Sequence, residues 1–509
     1  MDEHKRAGNG GEPDRLRVLL QKHFGFSDFR PGQREVIEAV CGGEDVLAIM
    51  PTGQGKSLCY QVPAHVIGGL TLVVSPLLAL IEDQVYSLRK SGEKRVRALT
   101  GNVHSNERTR VLEQLSTLRF LLLSPEMLRR EAVIAALARV KVNLFVVDEA
   151  HCVSQWGHEF RPDYLHLLEV RQQIGLPACL ALTATARPRV RKDIIRYLGL
   201  ERARVFCSSA DRPNIAVCAR TVAGNHEKVE RLLVLLSRVK LPAIVYCASR
   251  QWCERLTVLI GSRLPFRAAF YHGGMTGEDR LRIQNQFLQG ELDILCCTNA
   301  FGMGIDMAHV RLVVHFHLPA SLDAYLQEIG RAGRDGAGAL AVLYYASGDE
   351  QLQRVLIASN YPEDVLLQYV LFELDRGMLS LENEESFVAR LSEHGAGETA
   401  IRFLLEQLRD NFSADTYTER LGSLRLVIAE RLQQKTTELD EMLHWIDAPG
   451  CRREAYLRSY HEMLRQRPQP CCDRCGMDWA AFFAPTRPAT VSATLDWRRR
   501  LDHLFISRS

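Results

Sequence analysis

Residues 46–57 read VLAIMPTGQGKS. The run VLAI, four apolar residues closed by a turn, has the length and bulk of a strand buried on both faces. Gly53 and Gly55 then let the backbone fold tightly, so that successive N–H groups point at phosphate oxygens. Lys56 is placed to reach the β- and γ-phosphates of a nucleotide, and Ser57 to ligate Mg²⁺. The stretch closes on the Gly-Lys-Ser of a phosphate-binding loop, although Met50 stands where that pattern opens on glycine.

Working outward, the same strand-then-helix plan repeats. VLAIM (46–50) is joined by TLVVS (71–75), FLLLS (120–124), LFVVD (144–148) and CLALT (179–183). A second set comprises AIVYC (243–247), AAFYH (268–272), DILCC (293–297), LVVHF (312–316) and ALAVLYY (339–345). Apolar runs separated by helical patterns predict parallel sheets covered on both faces. The break at CSSADRPN (207–214) predicts two α/β domains in tandem. From about 348 the strand pattern stops. Helical periodicity takes over, with breaks at SNYPED and EHGAGE and one long helix expected over 419–446.

Composition narrows the class. The 509 residues leave room for three or four domains, and a net charge of +3 means that an anionic partner must be held by local patches. No apolar run reaches the roughly 18 residues of a membrane span. The polar, Gly-rich start MDEHKRAGNGGEPD lacks the apolar stretch of a secretory signal. Ten of the 14 cysteines are scattered, mostly within apolar runs, as small hydrophobes. That usage fits a reducing cytoplasm.

Residues 147–162, VDEAHCVSQWGHEFRP, supply the second half of a nucleotide site. Asp148, at a strand end, is expected to hold Mg²⁺ directly or through water, and Glu149 to orient or deprotonate the attacking water. Acidic residues at strand ends also cap helices, but the phosphate loop in the same domain favours chemistry. QEIGRAGRDG (327–336) sets Arg331 and Arg334 three apart between glycines. Arginine suits bidentate phosphate contact, so a second α/β domain offering this pair looks like an arginine finger supplied in cis.

The motifs, in order from about 20 to about 346, resemble those of the RecQ family of DNA helicases in helicase superfamily 2. FGFSDFRPGQREVI (24–37) is similar to the family's adenine-reading motif, which implies stacking by Phe26 and edge contacts from Arg30 and Gln33. MPTGQGKSLCYQ matches motif I, with Gln54 where a third glycine is usual. VVSPLLALIEDQV (73–85), DEAH (148–151), LTATA (182–186), YCASR (246–250) and TNAFGMGID (298–306) match motifs Ia to V. By the resemblance Thr52, Gln54, Gly304 and Asp306 join the ATP site, and Gln327 joins Arg331 and Arg334 in catalysis. It also makes VSQWGHEFRPDY the family's aromatic-rich loop, with Ser154, Gln155, Trp156, His158, Phe160 and Arg161 meeting single-stranded DNA. Unpaired bases stack on aromatic rings; read without the family, Trp156 and Phe160 would equally serve as core anchors.

Four cysteines remain. Cys472-x-x-Cys475 has the bite of a zinc knuckle, and Cys451 opens a CRR like the one that introduces the family's zinc-binding helical domain. The fourth Zn²⁺ ligand is Cys471, which must turn back beside Cys472, or else His461. Only 34 residues follow Cys475, fewer than the winged-helix or further helical DNA-binding domain of longer members needs, so a compact bacterial form is implied. FVARLSEHGAGETAIRFLLEQLRD (387–410) reads as helix–turn–helix, either a substitute DNA-binding element or a linker packed on the motor.

The expected organisation is a tail over 1–12 and RecA-like domains over 13–207 and 208–347. A helical linker over 348–415, a helical zinc-binding domain over 416–480 and a tail over 481–509 follow. The implied activity is 3′ to 5′ unwinding driven by ATP and Mg²⁺ on single-stranded, forked and duplex DNA, in recombination or repair. A single-strand-binding protein or other recombination proteins are candidate partners. Two alternatives stay open: a DNA-stimulated translocase or annealing factor with poor unwinding, and a zinc-dependent DNA-binding regulator with a vestigial motor.

Overall fold

The structure, a computed structural model, describes residues 14–51, 53–76, 78–101, 103–154, 161–184, 186–301, 307, 309–381, 383–410 and 416–484. The first sheet contains β1 (Val46–Ile49), β2 (Leu70–Val74), β3 (Val96–Leu99), β4 (Phe120–Leu123), β5 (Val142–Val147), β6 (Ala178–Thr183) and β7 (Arg204–Cys207). Their order is β3-β4-β2-β5-β6-β1-β7. The second contains β8 (Ile215–Val222), β9 (Ala243–Tyr246), β10 (Ala268–Tyr271), β11 (Ile294–Cys297), β12 (Leu312–His315) and β13 (Ala339–Ala346), ordered β10-β11-β9-β12-β13-β8. All of these strand pairings are parallel.

Parallel strands need crossovers, and helices provide them on both faces. The period of two therefore feeds two cores per sheet. Leu47 and Ile49 enter one core beside Phe145 and Val147, while Val46 and Ala48 enter the other beside Leu144 and Val146. In the second sheet Ile244 and Leu295 lie on one side, Val245 and Ile294 on the other. The ten expected strands are all present.

Three more strands were not expected. β3, VRAL, lies at the edge of the first sheet with its two central residues half-buried. β7, RVFC, is the opposite edge and largely exposed. Neither offers the continuous apolar run of a central strand. β8, IAVCARTV, pairs with β13 over eight residues, but it starts one residue after DRPN and was hidden in the break.

Beyond β13 the described chain is helical. The long helix runs Tyr417–Asp447, closed at its start by a capping box between Thr416 and Glu419. At ~1.5 Å per residue its 31 residues span about 46 Å. Its first half packs Leu421, Leu424 and Ile428 against the helices Asp364–Asp375, Glu384–Glu393 and Glu398–Asp410. Its second half sends Leu439, Met442 and Trp445 into the core beneath the second sheet. The expected helix–turn–helix is present as Glu384–Glu393 and Glu398–Asp410, with Gly395 left-handed at φ 79° in the turn. Residues 361–410 carry 11 Asp and Glu against four Arg and no Lys. No described helix is long and apolar enough to cross a membrane.

The segment after the helix Arg452–Ser459 returns to the second sheet. Val217 of β8 donates to the Cys471 carbonyl (3.2 Å) and accepts from the Asp473 N–H (3.1 Å), so this short stretch lies parallel to β8. Arg452 locks it there. Its guanidinium donates to Asp473 at 2.5 and 3.1 Å, to the Ile446 carbonyl at 2.9 Å and to the Ala219 carbonyl at 3.2 Å. Both side chains of the ion pair are almost fully buried, at 2% and 4% exposure. Breaking such a pair strands an uncompensated charge and costs about 3–5 kcal/mol. Arg452→Met is therefore expected to lower unfolding stability in urea by that order, and an unchanged midpoint would contradict it.

Candidate nucleotide site and its neighbours

The phosphate loop follows β1 at the C-terminal end of the first sheet. Gly53 (φ 84°) and Gly55 (φ 73°) sit in the left-handed region, where glycine has no steric penalty. They are also crowded: a Cβ on Gly55 would stand 2.6 Å from Gln33 Nε2, and one on Gly53 would stand 2.7 Å from Arg334 Cγ. Thus the second domain's arginine turn lies directly on the first domain's loop. Gln33 is buried and braces the loop, its Nε2 donating to the Gln54 (2.8 Å) and Gly55 (3.0 Å) carbonyls and its Oε1 accepting from the Arg30 N–H (2.7 Å). Phe26 is half exposed and open to stacking, and Arg30 is exposed.

At the end of β5, Glu149 adopts φ 47°, a left-handed conformation uncommon outside glycine. It turns the carboxylate back over the loop: Oε1 lies 3.2 Å from Lys56 Nζ and Oε2 lies 3.4 Å from His151 Nδ1. His151 Nδ1 in turn meets Thr183 Oγ1 at 3.0 Å, joining the ends of β5 and β6. Burial first, and the neighbouring Glu149 carboxylate second, push the Asp148 carboxyl up from its usual range, with Lys56 opposing. Gln84 reaches Asp148 at 3.4 Å and is itself held by Tyr60 at 2.7 Å. Ser57 sits half-buried just before the helix Leu58–Ile67.

The two arginines of the second domain diverge. Arg331 is buried and acts on Tyr246 within its own domain, whereas Arg334 is partly exposed against Gly53. Gln327 is buried on the preceding helix, Leu322–Ile329. Of the expected DNA loop, Gln155, Trp156, His158 and Phe160 lie outside the described residues, as do Thr52, Gly304 and Asp306 of the ATP site. The loop's two ends are fixed. Ser154 is fully buried and donates to Asp193 at 2.5 Å, which makes it an anchor rather than a surface contact. The Arg161 N–H donates to the Cys152 carbonyl at 2.8 Å.

One cluster escaped the motifs. Arg187, just past LTATA, places Nε 2.8 Å from Asp323 of the helix Leu322–Ile329 and Nη1 2.5 Å from Glu441 of the long helix. Tyr460 donates to Asp323, and its ring centroid lies 5.8 Å from the Arg187 guanidinium carbon. Both motor domains and the helical region meet on this side chain.

The thiols of Cys451, Cys471, Cys472 and Cys475 form one group, every sulfur within 4.8 Å of every other. The closest pairs are 3.5, 3.6 and 3.9 Å apart. Zn–S bonds of about 2.3 Å in a tetrahedron set sulfurs about 3.8 Å apart, so the donor set fits zinc. His461 is not a member of this group. The neighbouring thiols, Cys471 first, hold the Cys472 pKa down to about 4, against its burial.

Residues 30–194 match the DEAD/DEAH box helicase family and residues 227–336 the helicase conserved C-terminal domain. The chain is 38% identical over 493 residues to the Bacillus subtilis protein "Probable ATP-dependent DNA helicase RecS", covering 96% of this chain and 98% of that one. It is 41% identical over 334 residues to ATP-dependent DNA helicase RecQ of Pasteurella multocida and 40% over 350 to that of Haemophilus influenzae. Those matches cover 65% and 68% of this chain but only 52% and 56% of the RecQ proteins. Among solved structures, helicase Lhr of Mycobacterium smegmatis bound to ssDNA and AMP-PNP matches at TM-score 0.53 and 25% identity, over 70% of this chain and 53% of that one. Helicase MrfA bound to DNA shares the fold at TM-score 0.56 and 19% identity, over 69% and 53%. With its phosphate loop, its DEAH strand end, its facing arginine turn and a relative matched along almost its whole length, this chain belongs to the RecQ family of ATP-dependent DNA helicases.

Proposed function

We propose that the chain moves 3′ to 5′ along single-stranded DNA, hydrolyses ATP between its two motor domains and unwinds duplex in recombination or repair. The observation that carries this reading is Arg334 lying on Gly53, an arginine of one domain against the phosphate loop of the other. The 3′ to 5′ direction rests on the family resemblance. Lys56 pairs with Glu149 in the structure. Incoming phosphates compete for that ammonium, which frees the Glu149 carboxylate to orient or deprotonate water. Ser57 and Asp148 would hold Mg²⁺, which neutralises phosphate charge. Arg334 then meets charge developing on the transferred phosphoryl group. The step from Glu149 through His151 to Thr183 is short, and the DNA loop begins four residues past Glu149. DNA occupancy can thus reach the hydrolytic carboxylate without crossing a domain.

Displacement of 3′-tailed but not 5′-tailed duplex by the purified protein tests the overall reading; the opposite preference would overturn the polarity. The translocase or annealing alternative draws on the acidic balance of residues 361–410, which repels a phosphate backbone. ATPase without strand displacement would favour it.

Arg334→Ala should bind nucleotide and slow hydrolysis by about 10³–10⁵, the usual loss for an arginine finger. Lys56→Ala should abolish ATPase and unwinding together. Trp156→Ala and Phe160→Ala should weaken stimulation of ATPase by single-stranded DNA far more than DNA affinity, with basal rate and melting temperature kept. A lowered melting temperature, with basal and stimulated rates falling in proportion, would instead make these rings core anchors.

Elemental analysis should find about one zinc per chain, as four ligands close one structural site. Cys471→Ser should lower metal content and melting temperature, while His461→Ala should change neither.

A further inference from the structure

The turn that bears Arg334 is gripped from outside its own sheet. Arg212 lies in residues 208–214, the segment between β7 and β8 that joins the two sheets. Its Nη1 donates to the Gly330 carbonyl at 2.8 Å, and its Nη2 to the Ala332 and Gly333 carbonyls at 2.9 and 3.0 Å. Asn214 adds bonds to the Gly333 (2.8 Å) and Ala337 (2.9 Å) carbonyls. Gly333 is left-handed at φ 55°, and a Cβ there would meet the Ala337 oxygen at 2.6 Å as well as Asn214, so this grip excludes a side chain. The planar guanidinium fork spans carbonyls of three residues at once, which an ammonium cannot do.

Arg212 is held in turn. Arg453, fully buried in the helix Arg452–Ser459, donates to the Arg212 carbonyl at 3.1 Å, to the Ile215 carbonyl at 2.5 Å and to the Asp211 carboxylate. Tyr456 donates to the same carboxylate at 2.8 Å. A continuous set of bonds therefore runs from the helix after Cys451 to the turn over the phosphate loop. Arg212 also faces two like charges. Burial first, then Arg334 and Arg30, bring its pKa down to about 10. A cation seated beside the finger is unfavourable by charge alone, so its carbonyl contacts must offset that repulsion.

We propose that Arg212 is the positioning residue of the arginine finger: it sets where Arg334 stands over the phosphate loop, and Arg453, through Asp211, sets Arg212. This rests on Arg334 acting as the finger. A reacting group displaced by about 1 Å can cost on the order of 10²-fold in rate, so small shifts of the turn matter.

The test uses the full chain and follows kcat and KM for ATP, nucleotide affinity and melting temperature. Arg212→Lys and Arg212→Ala should each lower kcat on the order of 10²-fold, with KM and nucleotide affinity close to the parent's. Arg212→Lys keeps the charge and decides the matter should Arg212→Ala fail to fold. Adding Arg212→Ala to Arg334→Ala should slow hydrolysis no further, because residues acting as one unit are not additive. Arg453→Lys should shift kcat in the same direction. Normal kcat in folded Arg212→Lys, or full additivity with Arg334→Ala, overturns the proposal while leaving the finger intact. Near-normal turnover in Arg334→Ala removes the finger itself, and is recognisable because it is read on that single variant, whatever Arg212→Lys does.

Discussion

Arg334 and Gly53 leave no room between them. A side chain from the second sheet therefore lies on the loop of the first, and Arg334 can act there only while the two sheets face each other. Much of the remaining architecture keeps them so. The segment 208–214 tethers them covalently, and Arg187 ties the first sheet to Asp323 and to Glu441. Glycine at 53 is then doubly determined, by its left-handed backbone and by the absence of space for any carbon beyond Cα.

The long helix serves the same arrangement from outside. Its two halves belong to different cores, one beneath the second sheet and one among the acidic helices. One helix thus connects the acidic helices to Glu441, the partner of Arg187.

What was legible in the sequence is what repeats or what punctuates. Central strands such as FLLL and LVVH show as apolar runs, and the phosphate loop shows as glycines before Lys56. β3 and β7 were not legible, because edge strands are half exposed and carry arginines that interrupt the pattern. β8 was legible in its apolar residues but masked by the turn residues just before it. The cysteine group was foreseen, while the choice between Cys471 and His461 needed the fold, since only the pairing with β8 sets where adjacent side chains point. Arg187 and Arg212 left no signal at all. Their partners are carboxylates and carbonyls more than 100 residues away, and a carbonyl belongs to every residue alike.

β8 closes one side of the second sheet, and an outer strand is open to pairing with any other chain. The stretch around Cys472 lies parallel to the start of that strand and takes up the N–H and C=O of Val217. The four thiols thus hold in place a guard as well as a small module. If the thiol group comes apart, the outer edge of β8 at Val217 is left open, while β13 still pairs the other edge of the strand. Damage at the cysteines would thus leave the Val217 N–H and C=O, on the other sheet from the phosphate loop, open to pairing with another chain.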